Sequence, residues 1–178
     1  MKKKKNSSFV VIALLLIVTI SIGYAALSTT LNINGTSTIK TQTWDVHFAN
    51  VKVTTNTGAT VTKAPTITEG KTTEVTYNVA LNKPGSVYEF TVDVVNGGSI
   101  AAKTSAAPTL GGNTQTGIFN YTVTWSDGSA ITANTTLAAG ATKTAKVRVE
   151  YKKDITVSQL PTADTALTLT CSIPYVQA

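Results

Sequence analysis

Tyr88-Glu89-Phe90-Thr91-Val92-Asp93-Val94 is the stretch whose reading decides the fold. Every second residue is apolar and every residue between is polar, the period of a strand that is dry on one face and wet on the other. The device recurs along the chain. Val75, Tyr77, Val79 and Leu81 share a face against Glu74, Thr76 and Asn78, and Phe119, Tyr121, Val123 and Trp125 alternate with Asn120, Thr122 and Thr124. Ala145, Val147, Val149 and Tyr151 alternate with Lys146, Arg148 and Glu150; Leu167, Leu169, Cys171 and Ile173 alternate with Thr168, Thr170 and Ser172. Threonine and valine, stiff at Cβ, suit the pleated surface these segments need. Many one-sided antiparallel strands bury their dry faces by packing sheet on sheet. The expected fold is all-β, an antiparallel β-sandwich of the immunoglobulin-like type without its usual disulfide.

The breaks between these segments carry turn chemistry. In Asn82-Lys83-Pro84-Gly85, proline presets φ and glycine accepts a positive φ, so this turn is expected to link the strands on either side as a hairpin. Asp127-Gly128 is expected to close a hairpin, and Ala139-Gly140 to precede a basic strand. Trp44, Val46 and Phe48 alternate on even numbers but Val51 and Val53 on odd ones, a phase slip near Ala49-Asn50 that predicts a β-bulge or bend. Thr104 to Gly117 lacks alternation and is expected to be a long connecting loop.

Ahead of the strands stand Lys2 to Lys5, an apolar run from Phe9 to Ile22, and Gly23-Tyr24-Ala25-Ala26. A basic start, a short apolar core and small residues at a cut form the pattern of a secretory signal helix. Residues 1–25 are therefore expected to be removed between Ala25 and Ala26, with Gly23 and Ala25 meeting the small-residue requirement of signal peptidase. One β-sandwich domain is then left over residues 26–178. The alternative is a retained signal anchor, although the apolar run is shorter than the ~20 residues of a comfortable span. In either case the lysines stay inside and the domain is expected to be secreted or at the cell surface, touching a membrane only through its N-terminal segment.

Removing the signal also changes the charge. Beyond Ala26, 11 basic residues face 9 acids, a net charge of +2 rather than the +6 of the whole chain, which takes away the electrostatic footprint of nucleic-acid binding. The cluster Lys143, Lys146, Arg148, Lys152 and Lys153 is broken by Glu150 and Asp154 and reads as a solvated strand face. Cys171 is the single cysteine, so no internal disulfide forms. Its register with Leu167, Leu169 and Ile173 marks it as a small hydrophobe and not a reactive thiol.

Little in the chain is suited to catalysis. The one histidine, His47, lies two residues from Asp45 on the polar side of its strand, and neither a zinc site nor a nucleophile–base pair has its other members. Glu89 and Asp93 straddle Thr91 on a wet face, where a solvated strand explains them without chemistry. No calcium-loop spacing or phosphate-binding glycine turn is present in the sequence. Leu160-Pro161-Thr162-Ala163-Asp164 begins like a sortase signal but lacks the Thr-Gly ending and the hydrophobic tail. No enzyme, cofactor or metal is expected.

The segment after the cut has a pattern of its own. Leu27, Leu31 and Ile33 share one face, while Ser28, Thr30, Asn32 and Asn34 take the other, so cleavage would free an amphipathic strand at the new N-terminus. Such a strand completes its own sandwich or inserts into the next subunit, building a fibre head to tail.

The junction Gly23-Tyr24-Ala25-Ala26-Leu27 resembles the processing sites of the TasA and camelysin group, exported surface and biofilm-matrix proteins of Gram-positive bacteria. Leu81-Asn82-Lys83-Pro84-Gly85, then Phe90 and Asn96-Gly97-Gly98-Ser99-Ile100-Ala101, is similar to that group's Leu-x-Pro-Gly, aromatic strand and Asn-x-Gly-Ser-x-Ala, with one extra residue between Leu81 and Pro84. The resemblance implies a jelly-roll or immunoglobulin-like subunit whose N-terminal strand, here Leu27, Leu31 and Ile33, is donated to a neighbour. The camelysin protease label does not carry over, since no metal-ligand constellation stands in this chain. The expectation is a non-enzymatic surface or matrix structural protein that associates with itself or with other matrix proteins. The alternative is a monomeric or membrane-anchored, adhesin-like binding module.

Overall fold

The computed structural model describes residues 6–25 and 30–178. The chain divides into two compact units, Met1–Lys40 and Thr41–Ala178. The first contains α1, Asn6–Ala25, whose apolar sequence forms a helix of 20 residues. Among the described residues no helix is long and apolar enough to cross a membrane.

The second unit is an all-β sandwich of antiparallel sheets. Its strands are β1 (Val46–Thr57), β2 (Ala59–Thr68), β3 (Lys71–Leu81), β4 (Val87–Asn96), β5 (Ala102–Thr104), β6 (Thr109–Gly111), β7 (Phe119–Trp125), β8 (Thr136–Leu137), β9 (Thr142–Tyr151), β10 (Thr170–Ser172) and β11 (Tyr175–Gln177). One layer is a four-stranded sheet in the order β1-β4-β9-β7; the rest form three smaller sheets, β2-β3, β11-β5-β8 and β6-β10.

The deciding stretch behaves as its pattern predicts, with Tyr88, Phe90, Val92 and Val94 between 1% and 3% exposed. The register aligns dry residues in rows across the sheet. Phe90 stands opposite Val147 and Val147 opposite Val123, while Val92, Ala145 and Trp125 form the next row. Ala145 is fully buried beside the Trp125 indole, where its small side chain leaves room for the ring. Phe90 meets Tyr77 of β3 edge-on with ring centroids 5.0 Å apart, one of the contacts that join the layers.

The phase slip is a bulge. The β1–β4 ladder shifts register between Ala49 and Lys52, and Asn50 takes a positive φ of 49°. Its amide is held there by Asp93 at 3.0 Å. Asp127-Gly128 closes a short turn, with Gly128 N–H donating to Trp125 C=O and Thr124 bridging Ala130.

Two expectations need correction. Asn82–Gly85 does not join a hairpin, because β3 pairs with β2 whereas β4 pairs with β1 and β9. The turn carries the chain from one sheet to another, as Gly58 does between β1 and β2. Ser86, only 1% exposed, ties both corners together by donating from its hydroxyl to Gly58 C=O and accepting from Lys83 N–H. Thr104–Gly117 is also not entirely loop. It contains β6, which exists through its pairing with β10, a partner some sixty residues away.

Candidate functional site: the exposed segment, the clamp and the cleft

Gly23 and Ala25 lie in α1, while Ala26 and Leu27 fall outside the described residues. Residues 30–45 form no strand. Leu31 is 88% exposed and Ile33 98%, so these apolar side chains of the expected donor strand stand in water. Ile39 shares this exposure.

The sandwich grips the chain just beyond this segment. Gly97 N–H donates to Asp45 C=O at 2.8 Å, Ser99 N–H to Thr43 C=O at 3.0 Å, and Thr43 N–H to the Ser99 hydroxyl at 2.8 Å. The same hydroxyl donates to Gln42 Oε1 at 2.9 Å. Any side chain at Gly98 would collide with the backbone of Thr43 and Asp45, so this approach requires glycine. Fully buried Asn96 shapes the loop from within, donating to Ile100 C=O and Leu137 C=O and accepting from Gly98 N–H. Asn96-Gly97-Gly98-Ser99, notable in the sequence only as a motif, is thus a clamp on residues 42–45. Asn96→Ala would strip three buried partners at once, and we expect it to cost about 2 to 3 kcal/mol in denaturant melts. An unchanged midpoint would show that the loop holds its shape without that amide.

Beside the clamp lies a half-open cleft of about 290 Å³ with a mixed lining, in which Trp44, Val46, Phe48, Cys171 and Ile173 stand with the polar His47, Thr73, Ser172 and Tyr175. That is small for a site enclosing a drug-sized ligand. Cys171 is half-buried, and burial pushes its thiol up from 9.0 to about 11. Tyr77 and Tyr175 rise from 10.0 to about 12, chiefly for the same reason. A thiol held neutral this way is a weak nucleophile, in keeping with its reading as a hydrophobe.

The same shifts predict loss of stability in alkali. These groups ionise more readily in the unfolded chain, so their contribution is intact below about pH 9 and fades as pH rises through about 12. Denaturant midpoints should hold from neutrality to about pH 9 and then fall. A flat profile to pH 11 would contradict the assigned burial.

The groups suspected of chemistry are occupied structurally. His47 Nδ1 lies 2.8 Å from Asp45 Oδ1, a partly exposed pair beside the clamp. Glu89 accepts from Thr54 at 3.0 Å and from Arg148 at 3.2 Å; Asp93 accepts from Asn50 at 3.0 Å and Thr144 at 2.6 Å. Each carboxylate therefore spends both oxygens on neighbouring strands. Among the described residues, no group of three or more His, Cys, Asp or Glu is placed to hold a metal ion.

Comparison of the chain with protein-family models, curated proteins and solved structures finds no match. Two features of the sandwich unit make up the candidate site, the clamp on residues 42–45 and the cleft beside it; the exposed segment that alternates apolar and polar residues precedes them in the chain. The alternation at Leu31 and Ile33 is local and legible in the sequence, whereas the clamp and the cleft are not, because their partners lie far apart in the chain.

Proposed function

We propose that this protein is a non-enzymatic structural subunit of an extracellular fibre or surface matrix, exported by its N-terminal signal and assembled through the strand freed by cleavage. The observation that carries this reading is the exposure of Leu31 and Ile33, at 88% and 98%, in a segment that alternates apolar and polar residues. Apolar surface with this period gains most by joining a sheet with one dry face. The engagement of Glu89 and Asp93 with neighbouring strands supports a structural role over a catalytic one. On this reading the partners are further copies of the chain or other matrix proteins, with signal peptidase acting during export.

The test compares purified mature protein with and without residues 26–35 by size-exclusion chromatography and electron microscopy. High-mass filaments that need those residues are the expected result. A monomer in both cases would sink the proposal.

A further inference from the structure

We propose that the cleft beside Val46 and Phe48 is the acceptor for the N-terminal segment of a second copy of this chain, which adds as a strand to the outer edge of β1. This rests on the donor-strand reading above and names the surface that receives the strand.

The argument starts from hydrogen-bond alternation. Gly97 N–H donates to Asp45 C=O, and His47 and Ala49 stand opposite Val95 and Asp93 in the β1–β4 ladder. In an antiparallel pair the backbone groups of alternate residues face the partner, so Asp45, His47 and Ala49 face β4 while Val46 and Phe48 face the other way. β1 ends its sheet, with β4 as its one ladder partner among the described residues. The side chains of Val46 and Phe48 meanwhile line the cleft. An added strand would hydrogen-bond to the edge and send alternate side chains into the cleft, toward Ile173 and Thr73 of the facing layer.

The chemistry of the cleft selects the occupant. Its lining contains no carboxylate, lysine or arginine; His47, Cys171 and Tyr175 are its ionisable members. From Ala26 to Ile39 the chain carries no charged residue, and its apolar positions 31 and 33 recur at the spacing a strand presents to one face. Nine residue steps separate Ile33 from Gln42, the first residue held by the clamp, a reach of about 30 to 32 Å when extended, enough to step to an adjacent subunit.

Two measurements test this. Val46→Pro removes an outward N–H and sets a ring on the edge without breaking a bond to β4, a position where edge strands accept proline. It should leave circular dichroism unchanged and reduce filament yield by about tenfold or more. Independently, Ile33→Cys protein mixed with Thr73→Cys protein, both carrying Cys171→Ser, should be joined between chains by a short bis-maleimide. Filaments of normal yield from Val46→Pro, or filaments with no such cross-link, would place the acceptor elsewhere and overturn the inference, while the donor reading stands if residues 26–35 are still required. A cross-link confined within single chains of the double Ile33→Cys, Thr73→Cys variant would overturn it in favour of self-pairing. Filaments that form without residues 26–35 would remove the donor reading itself.

Discussion

Replacing Leu31 and Ile33 together by aspartate is expected, on the proposed donor-strand reading, to abolish filaments and leave the sandwich folded. Both side chains are almost wholly exposed, so the new carboxylates enter water, and surface changes of this kind usually alter stability by less than about 0.5 kcal/mol. In an assembled fibre the balance is different. Each buried leucine or isoleucine supplies roughly 1.5 to 3 kcal/mol, and an aspartate in its place adds the cost of an unpaired buried charge. Electron microscopy for filaments and circular dichroism for folding separate the outcomes. Persistent filaments would mean that these side chains are not the donor face, and an unfolded variant would mean that they belong to a core.

The second large effect is on the core itself. Phe90→Ala and Trp125→Ala should each destabilise the domain by about 3 to 5 kcal/mol, the range for large aromatics removed from packed interiors. Both residues are 2% exposed; Phe90 packs on Tyr77, and the Trp125 ring carries the Lys143 ammonium 4.2 Å from its centroid. His47→Ala serves as the contrast. It removes a partly exposed hydrogen-bonded contact with Asp45 and should cost under about 0.5 kcal/mol. Melts in which His47→Ala matched the aromatic changes would overturn the assignment of wet and dry faces.

These two predictions draw on different levels of information. That Phe90 and Trp125 are core residues was legible in the chain, because a strand with one dry face prints its burial as a period of two. Asn50 was legible too, since a bulge shifts that period by one residue and the shift is local. Asn96 was not. Nothing about an asparagine in a glycine-rich turn announces full burial, which depends on the Leu137 carbonyl, brought to it from 41 residues away, beside the local carbonyl of Ile100. The same holds for β6, a strand only because β10 lies beside it.

The sequence by itself determined the all-β class, the strand faces, the bulge and the places where the chain turns, because each follows from steric and hydrophobic preferences acting over a few residues. Only the tertiary structure decided which strands pair, and so that Asn82–Gly85 is a corner between sheets, that Gly97–Ser99 clamps Thr43 and Asp45, and that Val46, Phe48 and Ile173 wall one cleft. Turn residues set φ without naming the strand that comes alongside. Pairing is chosen by the burial of all the dry faces at once, a sum over residues far apart in the chain that no local pattern contains.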